Sequence, residues 1–266
     1  MQRIPACCVP ETHIEIDGLE VSYAGVPAVR VGSMPIYRGC VTAIVGPSGC
    51  GKSSFLASIN RMTESVPGCR VSGSVRIDGV ESGGDRRRLR SLRRRVGMIF
   101  QRPNPLPVSI AANIEAPLKD HGVGQKAERR RRAEQALRTV GLWEEVADRL
   151  HKPALSLSGG QQQRLCLARC LALEPEVVLL DEPCSSLDPM ATDVVEQALA
   201  RLRGRYTTVI VTHNLAQARR IADFTGVFWQ LGRGREDSLV EFGSTRRVFE
   251  TPAEELTSMY IGGAQG

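Results

Sequence analysis

The sequence predicts an α/β fold with three parts: a parallel-sheet core, an antiparallel β lobe and an α-helical sub-lobe. Apolar strands alternate with helices from residue 177 to 231, and this alternation predicts parallel strands joined by right-handed crossovers. Residues 12–45 and 71–78 show the alternating hydrophobicity and the glycine or proline turns of antiparallel strands. Residues from about 108 to 174 are rich in Ala, Leu, Arg and Glu and carry few strand signals, which predicts the helical sub-lobe.

The core strand Val41–Val45 leads into a glycine-rich segment that fits the pattern G-x-x-x-x-G-K-S. A strand, a glycine turn and a helix in this order form a loop whose backbone N–H groups point at phosphate oxygens. We expect Lys52 to reach the β- and γ-phosphates of a nucleotide and the Ser53 hydroxyl to bind Mg²⁺. The alternative, a glycine turn that binds nothing, is disfavoured by the strand and by the Lys-Ser pair. The predicted ATP-binding residues of this phosphate loop are Gly46, Pro47, Ser48, Gly49, Cys50, Gly51, Lys52, Ser53 and Ser54.

Cys50 stands where this loop enters its helix. Backbone N–H groups at a helix start favour a thiolate, so the sequence predicts a reactive thiol that Mg-ATP protects. The alternative is a packed, unreactive thiol, the usual state of a free cysteine.

Two acidic residues follow the apolar run Val177–Leu180, which is typical of a buried parallel strand. Open α/β sheets bind ligands at the carboxyl ends of such strands. Asp181 suits a contact to Mg²⁺, and Glu182 suits a catalytic base that orients the water attacking the γ-phosphate. His213 ends the next strand of this type and is expected to hydrogen-bond the γ-phosphate. We therefore predict Glu182, His213 and Lys52 as catalytic residues, with a solvated acidic turn as the alternative for the two carboxylates.

A second glycine motif precedes another helix. It comprises Leu157, Ser158, Gly159, Gly160 and Gln161. Ser158 is a good N-cap, and the glycines leave backbone N–H groups bare at the helix start. The sequence therefore predicts a second anion site, far along the chain from the first.

Taken in this order, the motifs resemble the nucleotide-binding subunit of an ABC transporter, a phosphate-loop ATPase with a RecA-like core. The resemblance covers about residues 12–252, the expected ATP-binding domain with its helical sub-lobe at about 108–174, and leaves 1–11 and 253–266 as terminal extensions. It implies that Tyr23 stacks on adenine and that Gln101 contacts Mg²⁺, together with Ser53 and Asp181, and senses membrane subunits. It also implies a head-to-tail dimer that sandwiches two ATP molecules. In that dimer residues 157–161 of one subunit complete the phosphate-loop site of the other, and Asp188 lies in a loop that crosses the interface.

Within that family the chain is most similar to the ATP-binding subunit of phosphate importers. The segments that carry this likeness are Ile59–Met62, Pro67–Gly73, Phe100–Pro107, Trp143–Lys152 and Gly160–Cys166. The resemblance implies an ATPase that drives phosphate uptake, attached to two transmembrane permease subunits on the cytoplasmic face of the inner membrane and served by an extracytoplasmic solute-binding protein. The alternatives are the same subunit for an amino acid or a phosphonate, or a soluble ABC ATPase outside transport. A phosphate-loop kinase has no use for residues 157–161.

Composition limits the function classes. The 266 residues contain no run of 18 apolar residues, and the first ten lack the apolar region of a signal peptide, so we expect a cytosolic chain without a membrane span. The eight cysteines lack metal-ligand spacing, which indicates free thiols.

The net charge of +6 is concentrated in two basic runs, at residues 86–95 and 129–132. No aromatic residues interleave for base stacking, so we interpret both runs as solvated helix faces and expect no nucleic-acid partner. Contact with lipid headgroups is a further alternative. A polar stretch at residues 232–238 has no predicted role.

Overall fold

The computed structural model describes residues 10–263, apart from Ser186, Arg233 and the side chain of Arg86. Residues 1–9 and 264–266, which belong to the two predicted extensions, lie outside the described residues. So does Arg233 in the polar stretch 232–238.

The described residues form ten strands in two sheets, together with ten α-helices. The strands are β1 (Thr12–Tyr23), β2 (Val26–Tyr37), β3 (Val41–Val45), β4 (Cys69–Ile77), β5 (Val80–Glu81), β6 (Val96–Ile99), β7 (Val177–Asp181), β8 (Thr207–Val211), β9 (Phe224–Phe228) and β10 (Leu239–Ser244). The helices are α1 (Lys52–Ile59), α2 (Arg86–Arg95), α3 (Ile110–Asp120), α4 (Lys126–Thr139), α5 (Trp143–Val146), α6 (Gly159–Leu171), α7 (Pro189–Ala200), α8 (Leu215–Ile221), α9 (Thr245–Glu250) and α10 (Glu255–Ile261).

The two sheets match the predicted antiparallel lobe and parallel core. The antiparallel sheet has the strand order β2-β1-β4-β5, and the larger sheet has the order β10-β9-β3-β8-β7-β6. In the larger sheet β3 pairs in parallel with β8 and β9, and β7 pairs in parallel with β6 and β8. β10 is antiparallel to β9 and lies at the sheet edge.

The larger sheet is covered on both faces, which explains why its central strands are apolar throughout. Ala43 and Val45 of β3 belong to a core cluster shared with the helices α3, α4 and α6, whereas Ile44 belongs to a cluster shared with the antiparallel sheet and α1. Because successive side chains of a strand point to opposite faces, one continuous apolar run serves both clusters. β7 is divided in the same way.

The predicted helical region 108–174 contains α3 to α6. From the sequence, the helix after the phosphate loop is expected over Ser53–Met62. In the structure α1 ends earlier, at Ile59, because Arg61 has a left-handed backbone with φ of 60°. Parallel strands all end at the same edge of the sheet, so the segments after β3, β6, β7 and β8 meet there.

Candidate active site

The phosphate loop connects β3 to α1, as the sequence predicts. Gly46 has φ of 154°, and a Cβ added to it would lie 2.2 Å from the carbonyl oxygen of Phe228. A Cβ at Gly51, which caps α1 with φ of 90°, would lie 2.4 Å from the carbonyl oxygen of Ala28. Only glycine fits both positions, so the backbone of β2 and of the end of β9 fixes the shape of the loop.

Lys52 lies over the loop rather than in solvent. Its Nζ donates hydrogen bonds to the carbonyl oxygens of Gly46 at 2.8 Å and Pro47 at 2.7 Å. The residue is 6% exposed. The ammonium group is thus held among the backbone groups expected to surround phosphate oxygens, where a point charge can reach them.

Ser53 and Asp181 come together from two different elements. The Ser53 hydroxyl donates to Asp181 Oδ1 at 2.9 Å. Burial, together with the charge of the adjacent Glu182, raises the pKa of Asp181 above its usual value, and the Ser53 hydrogen bond acts against this. Hydroxyl and carboxylate oxygens are the ligands that Mg²⁺ prefers, and a cation here would offset the cost of burying the carboxylate.

Glu182 is the centre of a second group of side chains. Its Oε2 accepts a hydrogen bond from Gln101 Nε2 at 3.1 Å and lies 3.2 Å from His213 Nδ1. Gln101 also donates to the Ser185 hydroxyl at 3.2 Å. The structure therefore brings together the ends of β6, β7 and β8, and Gln101 and His213, predicted from separate motifs, both contact Glu182.

The backbone of Glu182 is left-handed, with φ of 43°. Its N–H donates to the carbonyl oxygen of Val211 at 2.9 Å, which ties it to the end of β8. A left-handed glutamate is strained, and such strain persists where the surroundings hold it and often where a side chain must be aimed.

Tyr23 lies beside the phosphate loop at the end of β1. Its hydroxyl donates to the Ser54 hydroxyl at 3.1 Å, and the side chain is partly exposed. A partly exposed aromatic ring beside the loop suits the predicted stacking on a base.

The glycine motif of residues 157–161 forms the start of α6. The Ser158 hydroxyl accepts from the Gln161 backbone N–H, and the Ser158 backbone N–H donates to Gln161 Oε1 in return, which forms a capping box. Gln161 is held further by Glu145, whose second oxygen pairs with Arg164 at 2.7 Å. Among the described residues no hydrogen bond joins this motif to the phosphate loop, and Ser158 and Gly159 are exposed.

Asp188 is the N-cap of α7 and accepts from the Ala191 backbone N–H at 2.9 Å. It is exposed. Gly160 of α6 packs directly on α7, because a Cβ there would lie only 2.9 Å from the Cβ of Ala191. The exposed helix start and the predicted dimer loop thus form one surface.

Sequence reasoning missed three contacts of the site: Ser185 on Gln101, Glu145 on Gln161, and Gln230, whose Nε2 donates to the Ser48 carbonyl oxygen at 3.3 Å. Gln230 follows β9 closely, so the strand-end rule that selected Glu182 could have found it. Nothing in the sequence pattern points to Glu145.

The structure favours the alternative for Cys50, a packed, unreactive thiol. The residue is 1% exposed, and burial raises the pKa of its thiol despite the nearby Lys52. The loop turns the side chain inward, so the effect of burial on the thiolate exceeds that of the helix start.

The chain is similar in sequence to known proteins. The family profile described as "ABC transporter" matches residues 29–185. A curated relative, the phosphate import ATP-binding protein PstB 1 of Nitrosococcus oceani, is 55% identical over 260 residues, covering 98% of this chain and 93% of the relative. The phosphate import ATP-binding protein PstB of Rubrobacter xylanophilus is 47% identical over 252 residues, with 94% and 88% covered.

A solved structure has the same fold. CbiO1 of Clostridium perfringens, described as part of the ABC transporter complex cbiONQ, superposes with a TM-score of 0.76 at 27% identity, covering 91% of this chain and 92% of that chain. The fold predicted from the sequence is confirmed by this likeness. From the profile match and the two long relatives it follows that this chain belongs to the ABC transporter family.

Proposed function

We propose that this protein is the ATP-hydrolysing motor subunit of an importer of inorganic phosphate. The observation that carries the proposal is the meeting of Gln101, Glu182 and His213 beside a complete phosphate loop, in a chain aligned over 98% of its length with a phosphate import ATP-binding protein. The solute itself rests on the relatives alone, because the site contains nothing that would touch it. We assign ATP binding to the predicted domain at residues 12–252.

ATP binds with its phosphates in the loop of residues 46–54. Lys52 exchanges its two carbonyl partners for β- and γ-phosphate oxygens, and backbone N–H groups of the loop contact the remaining oxygens. Tyr23 stacks on the adenine ring. Ser53, Asp181 and Gln101 would hold Mg²⁺ through their side-chain oxygens, and the ion would offset the negative charge of the phosphates.

Hydrolysis uses Glu182 as the base. Its carboxylate takes a proton from a water molecule whose oxygen attacks the γ-phosphorus, while the bond to the ADP oxygen breaks and phosphate leaves. Gln101 and His213 hold the carboxylate through its Oε2, and His213 is well placed to donate to a γ-phosphate oxygen. A strained backbone at Glu182 keeps the carboxylate aimed at this position.

A second copy of the chain completes the site. The capping box uses the N–H groups of Ser158 and Gln161, which leaves those of Gly159 and Gly160 for an anion. Among the described residues, this exposed helix start makes no hydrogen bond to the phosphate loop of its own subunit, which supports a head-to-tail pair with two ATP molecules between the subunits. In the transporter this pair sits on the cytoplasmic face of the membrane, on two permease subunits served by an extracytoplasmic binding protein. Among the residues described, none of the helices has the length and apolar character needed to cross a bilayer.

Uptake by cells tests the proposal. In cells whose own copy of the gene is replaced by the Glu182→Gln variant, uptake of labelled phosphate at low external concentration should fall to the level of the deletion. A Glu236→Gln variant, which changes an exposed loop carboxylate, should retain uptake. Loss of amino acid or phosphonate uptake with phosphate uptake unchanged would assign a different solute while leaving the ATPase assignment intact.

A further inference from the structure

The two basic runs of the sequence differ in how their charges are neutralised. On α4, Arg131 and Arg132 both pair with Glu128, and Arg132 also pairs with Glu174. Arg138 pairs with two further glutamates. Three of the six basic residues of this helix therefore have carboxylate partners among the described residues.

The arginines on the outer face of α2 have no such partners. Arg87, Arg90 and Arg94 recur at the spacing of one helix face, and all three are exposed, as is Arg88 beside them. Within the part of the chain that the structure describes, none of these four side chains forms an ion pair with a carboxylate. Their charge is left to solvent or to a partner.

The inner face of α2 packs against the rest of the protein. Leu92 is buried in the core cluster, with Leu89 packed against it. Arg93 donates to the backbone carbonyl oxygens of Asn60 and Arg61, and Arg95 pairs with Glu176. The helix therefore has no apolar side free to insert into anything, and its outer face can bind only through charge.

Cations from the end of α3 extend this face. Arg90 donates to the carbonyl oxygen of Asp120 at 2.8 Å, which joins the two helices. Lys119 is exposed there, and His121 lies close enough that Arg90 and Arg94 lower its pKa, after the larger effect of burial. Two carboxylates lie beside these cations: that of Asp120, and that of Asp85, which caps α2 and accepts from the backbone N–H groups of Arg87 and Arg88. We call the surface of Arg87, Arg88, Arg90, Arg94 and Lys119 the arginine face.

We propose that the arginine face binds the anionic headgroups of a phospholipid membrane. Five cations on one surface fall in the range that attracts an anionic leaflet, at about 1 kcal/mol for each. The face carries no aromatic residue, which disfavours single-stranded nucleic acid. Membrane contact of this kind needs no permease and no particular solute, so it goes beyond the proposed function.

Vesicle flotation with the purified full-length chain tests the proposal. The chain should float with vesicles of phosphatidylcholine mixed with phosphatidylglycerol, and should not float with phosphatidylcholine alone. Binding should disappear at about 1 M salt, where the Debye length falls to about 3 Å. The Arg87→Gln/Arg94→Gln variant removes two unpaired charges and should lower the partition constant about 30-fold.

The matched control is Arg130→Gln/Arg219→Gln. These two arginines are exposed, lie on α4 and α8, and have no carboxylate partner among the described residues. The control has the same net charge as the α2 variant and should bind vesicles nearly as the unmodified chain does, and both variants should keep the ATPase activity.

Equal losses in the two variants would mean that net charge alone attracts the chain, and would overturn the proposal. Vesicle binding by the α2 variant equal to that of the unmodified chain would overturn it as well, as would binding that appears only with the permease subunits present. Loss of phosphate uptake is not part of the test, so failure here leaves the proposed function untouched.

Discussion

At the residue scale, Glu182 shows how the site aims a carboxylate. It precedes Pro183, and a residue before proline normally adopts an extended backbone. The structure instead gives it a left-handed φ of 43°. Its N–H donates to the carbonyl oxygen of Val211, and its carboxylate contacts Gln101 and His213. These partners lie at or just after the ends of β6 and β8, so the local sequence could predict the residue but not its conformation.

Tyr23 gives a prediction that separates stacking from hydrogen bonding. Tyr23→Ala removes the ring and should raise the ATP KM about 5- to 150-fold, as loss of one base–aromatic contact costs about 1–3 kcal/mol. Tyr23→Phe keeps the ring and loses only the hydrogen bond to Ser54, so its effect should be about tenfold at most. Steady-state ATPase assays measure both, and equal KM values for the two variants would remove Tyr23 from the adenine site.

Cys50 should react slowly with maleimides in the folded protein, with or without Mg-ATP. The thiol is buried, its pKa is raised, and the thiolate is the reacting form. Mass spectrometry of the Cys50 peptide gives its own labelling rate, with the half-exposed Cys69 as an internal comparison. Rapid labelling of Cys50 that ATP blocks would restore the thiolate prediction made from the sequence.

At the element scale, the structure contains each strand that a continuous apolar run predicts. β3, β7 and β8 match the predicted runs within a residue, because a strand buried on both faces must be apolar throughout. The order of the strands was not predictable, since β9 follows β8 in sequence yet pairs with β3 through contacts between distant residues. The end of α1 was missed because Arg61, a residue with good helix propensity, is left-handed there.

The packing of α6 on α7 gives a prediction at this scale. Gly160→Ala places a methyl group 2.9 Å from the Cβ of Ala191, and neither side chain can rotate away. We expect a loss of roughly 1–3 kcal/mol, seen as a lower thermal midpoint. Gly159→Ala is the matched control: its nearest neighbour, Leu187, lies at 3.7 Å, so the thermal midpoint should stay or rise. Similar midpoints for both variants would show that the helices adjust freely.

At the scale of the whole molecule, a buried polar group joins the antiparallel sheet to the parallel core. His13 of β1 is 2% exposed, and its Nδ1 lies 2.6 Å from the Thr207 hydroxyl of β8. Its Nε2 has no hydrogen-bond partner and lies 3.7 Å from Asp78 and 3.9 Å from Glu176. The sequence alone predicts only a surface or packing role for His13, since the histidine and its partners come from different elements and no local pattern connects them.

His13 should make the fold sensitive to mild acid. Burial, and next the positive charge of Arg38, lower the pKa of His13 in the folded state, although Asp78 and Glu176 act against this and Arg95 adds to it. As the pH falls below about 6.5, His13 becomes protonated in the unfolded state while it is still neutral in the folded state. The free energy of unfolding therefore decreases as the pH falls below about 6.5.

Urea unfolding at about pH 7.5 and about pH 5.5 measures the difference. His13→Gln should have a smaller drop in midpoint between the two pH values than the unmodified chain. His151→Gln, at an exposed histidine, should leave the drop unchanged. An undiminished drop in His13→Gln would place the acid sensitivity elsewhere.

The dimer is the largest prediction, and it depends on the base and the second glycine motif together. Glu182→Gln keeps the shape of the side chain but cannot take a proton, so hydrolysis should fall about 10²- to 10⁴-fold while ATP still binds through Lys52, Ser53 and Asp181. The trapped ATP should then bridge two subunits, because the exposed start of α6 is the remaining anion site. Size-exclusion chromatography should show a dimer with ATP and a monomer without it.

Adding Ser158→Arg, which places bulk where the γ-phosphate must approach, should abolish the dimer and preserve ATP binding. Ser258→Arg, on the exposed face of α10, adds the same charge and should leave the dimer intact. A Glu182→Gln chain that binds ATP and stays monomeric would exclude the sandwich for the isolated subunit, and an equal effect of both arginine substitutions would exclude α6 as its second half.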